Sequence, residues 1–130
     1  MKAQISLEVL TYLIIMTVML TIVTFVALEK SQAIYSEKIN MDARRVLKLA
    51  AIEINTAVSI GDGYENAFSL PQQLYGQRDY TITVDPDYQR IYISWDGGSH
   101  IVPVLTNNIT GTINNGVNVI KNEAGLIKLE

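Results

Sequence analysis

Residues 8–28 read EVLTYLIIMTVMLTIVTFVAL, a single carboxylate followed by twenty residues without a charge. As a helix, the uncharged run Val9–Leu28 would be about 30 Å long at 1.5 Å per residue, which matches the hydrocarbon thickness of a bilayer. We therefore predict a membrane-spanning helix. An ionisable side chain at the start of such a span is energetically expensive and is commonly functional, so Glu8 is the first candidate functional residue.

This apolar run does not resemble an ordinary secretory signal. It is too long for the hydrophobic region of such a signal, only Lys2 precedes it as a cationic side chain, and no small-x-small cleavage site follows. On hydropathy alone, a plain single-span anchor is the simplest interpretation. Four threonines interrupt the run, and their hydroxyls can bond to backbone carbonyls of the same helix or to adjacent helices: Thr11, Thr17, Thr21 and Thr24.

The helix is predicted to continue well beyond the apolar run. No proline or glycine occurs from Glu29 to Ser59, and the sequence Gly61-Asp62-Gly63 then supplies a stop signal. Apolar residues in this segment recur at intervals of three and four, which places them on one helical face. These residues are Tyr35, Ile39, Ala43, Val46, Ala50, Ile54 and Ala57.

The sequence after Pro71 predicts short β-strands. The segments Tyr80–Val84, Gln89–Trp95 and His100–Val104 alternate with turn signals and indicate a meander. Three further strands are predicted at 109–113, 116–121 and 125–129, with Asn114-Asn115-Gly116 as a hairpin turn between the first two. The expected fold class is α+β: a long N-terminal helix, hydrophobic in its first half and amphipathic in its second, packed on a small antiparallel β-sheet head.

Composition excludes several kinds of function. The chain has no cysteine, so disulfides and thiolate chemistry are excluded. Residues 61–130 hold eight acidic and four basic side chains, which does not favour nucleic-acid binding. No catalytic motif is present, and we predict neither an enzyme nor a cofactor or metal. The single histidine, His100, fits a surface or strand-edge position, and Asp85-x-Asp87 fits a turn better than a calcium loop.

One modification signal occurs in the C-terminal half. Asn108-Ile109-Thr110 is an N-glycosylation sequon, which has meaning only if this part of the chain is extracellular. Asn108 is therefore a candidate glycosylation site, with an unmodified turn as the alternative.

The residues Lys2-Ala3-Gln4-Ile5-Ser6-Leu7-Glu8, followed at once by the apolar run, resemble the archaeal class III signal peptide. That signal combines a basic residue, a small residue, the pattern Q-x-S-x-E and a hydrophobic helix, and it is carried by archaeal type IV pilin-like proteins. The resemblance implies cleavage between Ala3 and Gln4 by a prepilin peptidase. It divides the chain into a signal peptide (1–3), a transmembrane or filament-core helix (4–28), an amphipathic helix (29–60) and a β-rich head (61–130).

The resemblance also implies partners. In pilins the acidic residue corresponding to Glu8 pairs with the new amino terminus of a neighbouring subunit, here Gln4, and this contact sets the register of the filament. The implied function is a structural subunit, the major pilin, of an extracellular pilus that serves adhesion or cell contact. The expected partners are further copies of the chain, the membrane before assembly, an assembly ATPase and a platform protein, with no nucleic acid.

Two alternatives remain open from the sequence. One is a monomeric, membrane-anchored surface domain that binds a ligand, and the other is a minor pilin of a secretion or DNA-uptake machine. Membrane topology does not decide between them. Counting Lys and Arg on either side of the span predicts a cytoplasmic C-terminal part, whereas pilins place the head outside the cell.

Overall fold

The computed structural model describes the backbone of residues 2–130 and the side chains of residues 7–130. One helix, α1, spans Lys2–Ile60. Seven strands follow: β1 (Glu65–Leu70), β2 (Tyr80–Asp85), β3 (Arg90–Trp95), β4 (Gly98–Pro103), β5 (Ile109–Gly111), β6 (Gly116–Glu123) and β7 (Leu126–Leu129). The chain divides into an N-terminal unit that extends to Glu37 and a head unit, Lys38–Glu130.

The predicted end of α1 is confirmed. The helix stops at Ile60, and Gly61 follows with φ of +93°, a left-handed conformation that glycine adopts without a Cβ penalty. The Gly61 amide donates to the Ala57 carbonyl at 3.2 Å, so one of the last carbonyls of the helix is satisfied. The backbone therefore leaves the helix at the position that the glycine pattern predicted.

The predicted apolar face of the amphipathic segment is confirmed from Ile39 to Ala57, whereas its first predicted member, Tyr35, is 40% exposed. Within the head unit every predicted member of this face is buried, and Leu47 and Ala51 extend it. It packs against inward-facing strand residues in one core. The largest fully buried apolar side chains are Val46, Leu47, Ile54, Ile91, Ile93, Ile120 and Ile127. Burial of this face against the strands stabilises the helix more than its intrinsic propensity does.

The strands form two sheets rather than one. β2, β3 and β4 make a three-stranded antiparallel meander, in which Ile82 lies opposite Ile93 and Ile93 opposite His100. The other four strands form a sheet of order β1-β6-β7-β5. Its β5–β7 pair is parallel and the other two pairs are antiparallel. The head is thus α+β as predicted, with a meander where one was expected and a second, mixed sheet.

Two details of the strand prediction are wrong. No strand was predicted before Pro71, whereas β1 pairs with β6 along its whole length. The Asn114-Asn115-Gly116 segment is not a hairpin turn, because β6 pairs with β1 and β7 and β5 pairs with β7. The buried Asn118 side chain binds this segment instead, since it exchanges hydrogen bonds of 2.7 Å with the backbone amide and carbonyl of Asn114.

Polar side chains connect α1 to the four-stranded sheet. The Asn66 side-chain amide on β1 donates to Glu53 Oε2 at 2.9 Å. The buried Asn122 side chain on β6 donates to the Ala57 carbonyl at 2.8 Å. Among the described side chains, no buried nitrogen or oxygen lacks a hydrogen-bond partner. These bonds hold the end of the helix against the sheet in one arrangement.

Candidate functional site

The first part of α1 presents an apolar surface that nothing in its own unit covers. Every side chain from Leu7 to Leu28 is exposed, and the large apolar ones expose between 47% (Val26) and 70% (Met16) of their area. Exposed apolar surface of this extent marks a membrane-contacting or protein-contacting segment. By length and composition α1 is the one helix in the described chain that could cross a membrane, and a signal sequence near the N-terminus would meet the same criterion.

The threonines of this segment bond within the helix. Their hydroxyls donate to the carbonyl four residues earlier at 2.8–2.9 Å, which is the first of the two arrangements considered from the sequence. The donors are Thr11, Thr17, Thr21 and Thr24. Each hydroxyl is therefore satisfied in an apolar environment without a second chain.

Glu8 lies at the start of this surface and is exposed. Among the side chains of residues 7–130, none makes a hydrogen bond or ion pair with it. At about 100° per residue, Glu8 points to the side of the helix opposite Thr17, since nine residues separate them. Thr21 and Thr24 lie on that same side, opposite the carboxylate, whereas Thr11 is three residues from Glu8 and lies on the side of the carboxylate.

The other residues of the predicted processing and register sites, Ala3 and Gln4, lie outside the side chains that the structure describes. The proposed cleavage between Ala3 and Gln4 and the contact between Gln4 and Glu8 therefore stay predictions. The contact would join two copies of the chain, so a single chain contains only one of its two partners.

Asn108 is exposed and directly precedes β5. Its side-chain amide donates to the Gly125 carbonyl at 3.0 Å, and its backbone amide donates to Thr106 Oγ1 at 3.0 Å. An exposed asparagine is accessible to modification, and a glycosylated amide nitrogen still has one hydrogen to donate. Glycosylation at Asn108 stays a prediction.

The histidine and aspartate candidates take structural positions. His100 lies on the edge strand β4, where it accepts a hydrogen bond from Arg44 Nε at 3.3 Å and contacts the Trp95 ring. Asp85 accepts hydrogen bonds from the Arg90 guanidinium at 3.0 Å beside the β2–β3 turn. Among the described residues, no group of three or more His, Cys, Asp or Glu side chains could hold a metal ion.

Three side chains of the head unit have shifted pKa values. Burial, with a contribution from the Asp42 charge, raises the pKa of Tyr80 to about 12. Burial and then the Glu53 carboxylate raise the pKa of Tyr64. Hydrogen bonding to Glu130, followed by the charges of Glu130 and Glu65, raises the pKa of Lys121. Each shift follows from packing or from an ion pair of the head, which suits a structural role.

Sequence reasoning missed a second surface, on the exposed side of α1 in the head unit. Met41, Leu49 and Ile52 are exposed there among Arg44, Arg45 and Lys48, and these six residues line an open cleft of about 410 Å³. The sequence does contain a sign of this surface, since Arg44, Arg45 and Lys48 follow one another at intervals of one and three residues. In the sequence these cations contribute only to the charge count for membrane topology, because the sequence does not show which cations lack a carboxylate partner.

The chain therefore presents two exposed surfaces, the apolar part of α1 and the basic, partly apolar part of the same helix in the head. Comparison with models of protein families, with curated proteins and with solved structures gave no match to this chain. Neither surface forms an enclosed cavity with converging catalytic groups, and both have the composition of contact surfaces.

Proposed function

We propose that this protein is the major structural subunit of an extracellular, archaeal type IV-like pilus that serves adhesion or cell contact. The chain polymerises through the apolar part of α1. The observation that carries the proposal is the exposed apolar surface from Leu7 to Leu28 with a single carboxylate, Glu8, at its start. Before assembly this surface contacts lipid, and in the filament it contacts the same surface of neighbouring copies.

The carboxylate gives the apolar contact a defined register. An apolar helix alone can slide along its neighbours, because all its contacts are similar. A charge that loses water must find a cation, since leaving it unpaired in an apolar environment costs several kcal/mol. The amino group of Gln4, freed by cleavage after Ala3, is the cation that the resemblance to class III signal peptides implies. One such contact, repeated between identical chains without closing, produces a helical filament.

The test compares two carboxylates at the two ends of the apolar run. Glu8→Gln removes the charge at the start, and Glu29→Gln removes a charge just beyond Leu28. We expect Glu8→Gln to abolish filaments while membrane insertion is retained, and Glu29→Gln to leave filaments intact. Filaments are counted by electron microscopy, and insertion is measured by alkaline extraction of membranes. Normal filaments from Glu8→Gln would contradict the register role.

Processing is tested separately by mass spectrometry of the N-terminus of surface material. A chain beginning at Gln4 supports cleavage and provides the amino group that Glu8 requires. A mature surface protein that retains Met1 would contradict the pairing.

The alternative is a monomeric anchored domain that binds a ligand at the cell surface. It is favoured by the same apolar helix, which is long enough to span a bilayer. A monomeric anchor would tolerate Glu8→Gln, and its insertion would improve because a charge is removed from the span. A minor pilin of a secretion or DNA-uptake machine would depend on Glu8 as the major pilin does, but it would be present in few copies per filament.

A further inference from the structure

The cations of the head unit from Arg44 onward fall into two groups that differ in their partners, while Lys38 lies over the Tyr75 ring. All four in residues 61–130 pair with carboxylates: Arg78 with Asp96, Arg90 with Asp85, Lys121 with Glu65 and Glu130, and Lys128 with Glu123. On the helix, by contrast, none of Arg44, Arg45 and Lys48 lies within 4.0 Å of a carboxylate among the described side chains. Arg44 Nε donates to His100 Nε2 at 3.3 Å. The helix therefore holds positive charge that its own chain does not neutralise.

These cations lie among exposed apolar side chains. Met41 exposes 63% and Ile52 58% of its area, and Leu49 lies beside them. We call the six residues that line this cleft the basic helix face: Met41, Arg44, Arg45, Lys48, Leu49 and Ile52. Arg44 and Lys48 are four residues apart on a helix, a spacing at which like charges destabilise it slightly. Apolar contact area together with uncompensated charge is the composition expected of a protein-binding face.

The opposite charge lies on the outer surface of the four-stranded sheet. Side chains alternate along β6, so Ile120 and Asn122 are buried while Lys121 and Glu123 point outward. Lys121 lies opposite Glu65 on β1 and Lys128 on β7. Asp62 adjoins this surface, because its carboxylate accepts a hydrogen bond from the Ala124 amide in the turn between β6 and β7. Together they hold four carboxylates against two ammonium groups, and we call this set the acidic sheet face: Asp62, Glu65, Val117, Lys121, Glu123, Lys128 and Glu130. Val117 exposes 72% of its area and adds apolar contact.

The two faces lie on different elements of the head, and the buried residues beside each of them belong to one core. Ala43, Val46 and Ala50 on the helix point into the core, and the basic helix face points away from it. Ile120 and Ile127 of the sheet point into the same core, and the acidic sheet face points away from it. A symmetric dimer that used either face alone would bring like charges together. A head-to-tail contact brings opposite charges together and leaves a free face on each copy.

We propose that the basic helix face of one copy docks on the acidic sheet face of the next copy. This inference rests on the proposed function, because it names the second contact by which the subunit polymerises. The Glu8 contact fixes the register of the apolar helices, and the contact between heads selects the neighbouring head by its charge. A head-to-tail contact between two different faces of the subunit extends without closing when the rotation between copies does not return to the start.

Two charge-reversed full-length proteins test the contact. The helix variant carries Arg44→Glu, Arg45→Glu and Lys48→Glu, and the sheet variant carries Glu65→Lys, Glu123→Lys and Glu130→Lys. The control, Asp87→Lys, reverses an exposed acid in the β2–β3 turn that makes no ion pair with a described side chain. Circular dichroism and thermal melting establish that each protein is folded. A milder sheet variant, Glu123→Gln with Glu130→Gln, replaces the reversal if the latter does not fold.

Neither reversed variant should polymerise alone at the concentration that suffices for the unchanged chain. Like charges then meet at the contact, so the required concentration rises about tenfold or more, as judged by pelleting and electron microscopy. An equal mixture of the two variants should restore filaments, because each reversed face meets a reversed partner. If the milder sheet variant is used, it should raise the required concentration by a smaller factor. The control should polymerise like the unchanged chain.

Several results would overturn the inference. The contact between heads is refuted, and the proposed function stands, if the unchanged chain and both folded variants polymerise equally well. The same conclusion follows if the mixture does not restore filaments. The contact is also refuted if the helix variant polymerises normally but loses binding to vesicles of anionic lipid, because the face would then be a lipid-binding surface. If the unchanged chain does not polymerise, the proposed function itself is wrong and the contact has no role.

Discussion

Asn122 connects the end of α1 to the turn between β6 and β7, and we predict that Asn122→Ala destabilises the head strongly. The side chain is 3% exposed. Its amide group donates to the Ala57 carbonyl at 2.8 Å, and its carbonyl accepts from the Gly125 backbone amide at 2.9 Å. The substitution removes both bonds from a position that water does not reach.

The magnitude follows from these contacts. Each hydrogen bond contributes about 1 kcal/mol net, and a buried partner left unsatisfied adds to the loss. The Ala57 carbonyl keeps its hydrogen bond from the Gly61 amide, so the further loss of stability from an unsatisfied buried carbonyl is limited. We therefore expect a loss of about 2–3 kcal/mol in the free energy of unfolding. For a unit of this size the melting temperature should fall by about 10–20 °C.

The assay is thermal unfolding of the full chain in detergent, followed by the fluorescence of Trp95, the only tryptophan in the sequence. The matched control is Asn108→Ala. The Asn108 side-chain amide also bonds to Gly125, because it donates to the Gly125 carbonyl at 3.0 Å. Asn108 is exposed, however, so water replaces the bond that the substitution removes. We expect about 0.5 kcal/mol or less for the control. Equal melting temperatures for the two variants would refute the reasoning.

Asn122→Asp separates the hydrogen bonds from the packing. An ionised carboxylate cannot donate to the Ala57 carbonyl, and burial raises the pKa of the introduced group above its value in the unfolded chain. A group whose pKa is raised by folding favours the folded state below its unfolded pKa and loses that contribution as pH rises through the folded pKa. The stability deficit of Asn122→Asp relative to the unchanged chain should therefore shrink as pH falls toward about 4. A deficit independent of pH would contradict this interpretation.

Three further predictions concern the head. Gly111 and Gly125 both have positive φ, but a Cβ at Gly111 would lie 1.9 Å from the Leu129 carbonyl oxygen whereas one at Gly125 would contact nothing. We therefore expect a loss of about 1 kcal/mol for Gly125→Ala and at least about 3 kcal/mol for Gly111→Ala in urea unfolding, and equal losses would exclude the clash. Because folding raises the pKa of Tyr80 to about 12, its contribution to stability is complete below pH 10 and is lost between pH 10 and about 12. The Tyr80→Phe variant should lack that part of the pH dependence of the urea midpoint, and an unchanged profile would contradict the assignment. If the head is extracellular, Asn108→Gln should lower the mass of the protein isolated from its native host by one glycan, and an unchanged mass would show that the site is unmodified.

Much of the helix could be predicted because its signals are local. The absence of proline and glycine, the apolar spacing from Ile39 to Ala57 and the stop at Gly61 all operate within a few residues. The same holds for the meander, whose strands β2, β3 and β4 pair only with their neighbours in sequence. Local propensity and packing agree in these segments, so the pattern identifies the structure.

The second sheet could not be predicted because its pairing is non-local. β1 pairs with β6 about fifty residues later, and its sequence ENAFSL has adjacent apolar residues, Ala67 and Phe68, so polar and apolar residues do not alternate clearly. The Asn114-Asn115-Gly116 sequence has the composition of a hairpin turn, but turn chemistry does not specify which strands pair. The basic helix face was missed for a similar reason. Whether Arg45 or Lys48 has a carboxylate partner depends on strands far away in the sequence.

The threonine bonds of α1 have a consequence for the heat of assembly. Since Thr17, Thr21 and Thr24 already donate to carbonyls of their own helix, the surface presents hydrocarbon with no unsatisfied donor from these residues. Transfer of this surface from lipid to other protein helices would exchange no hydrogen bonds at these positions and would bring no apolar area out of water. The heat capacity change on polymerisation from a membrane should then be small, because that quantity reports apolar area gained from or lost to water. If the chain polymerises as proposed, the enthalpy of polymerisation of this segment should accordingly change little with temperature, unlike the enthalpy of folding of the head, which buries apolar area from water.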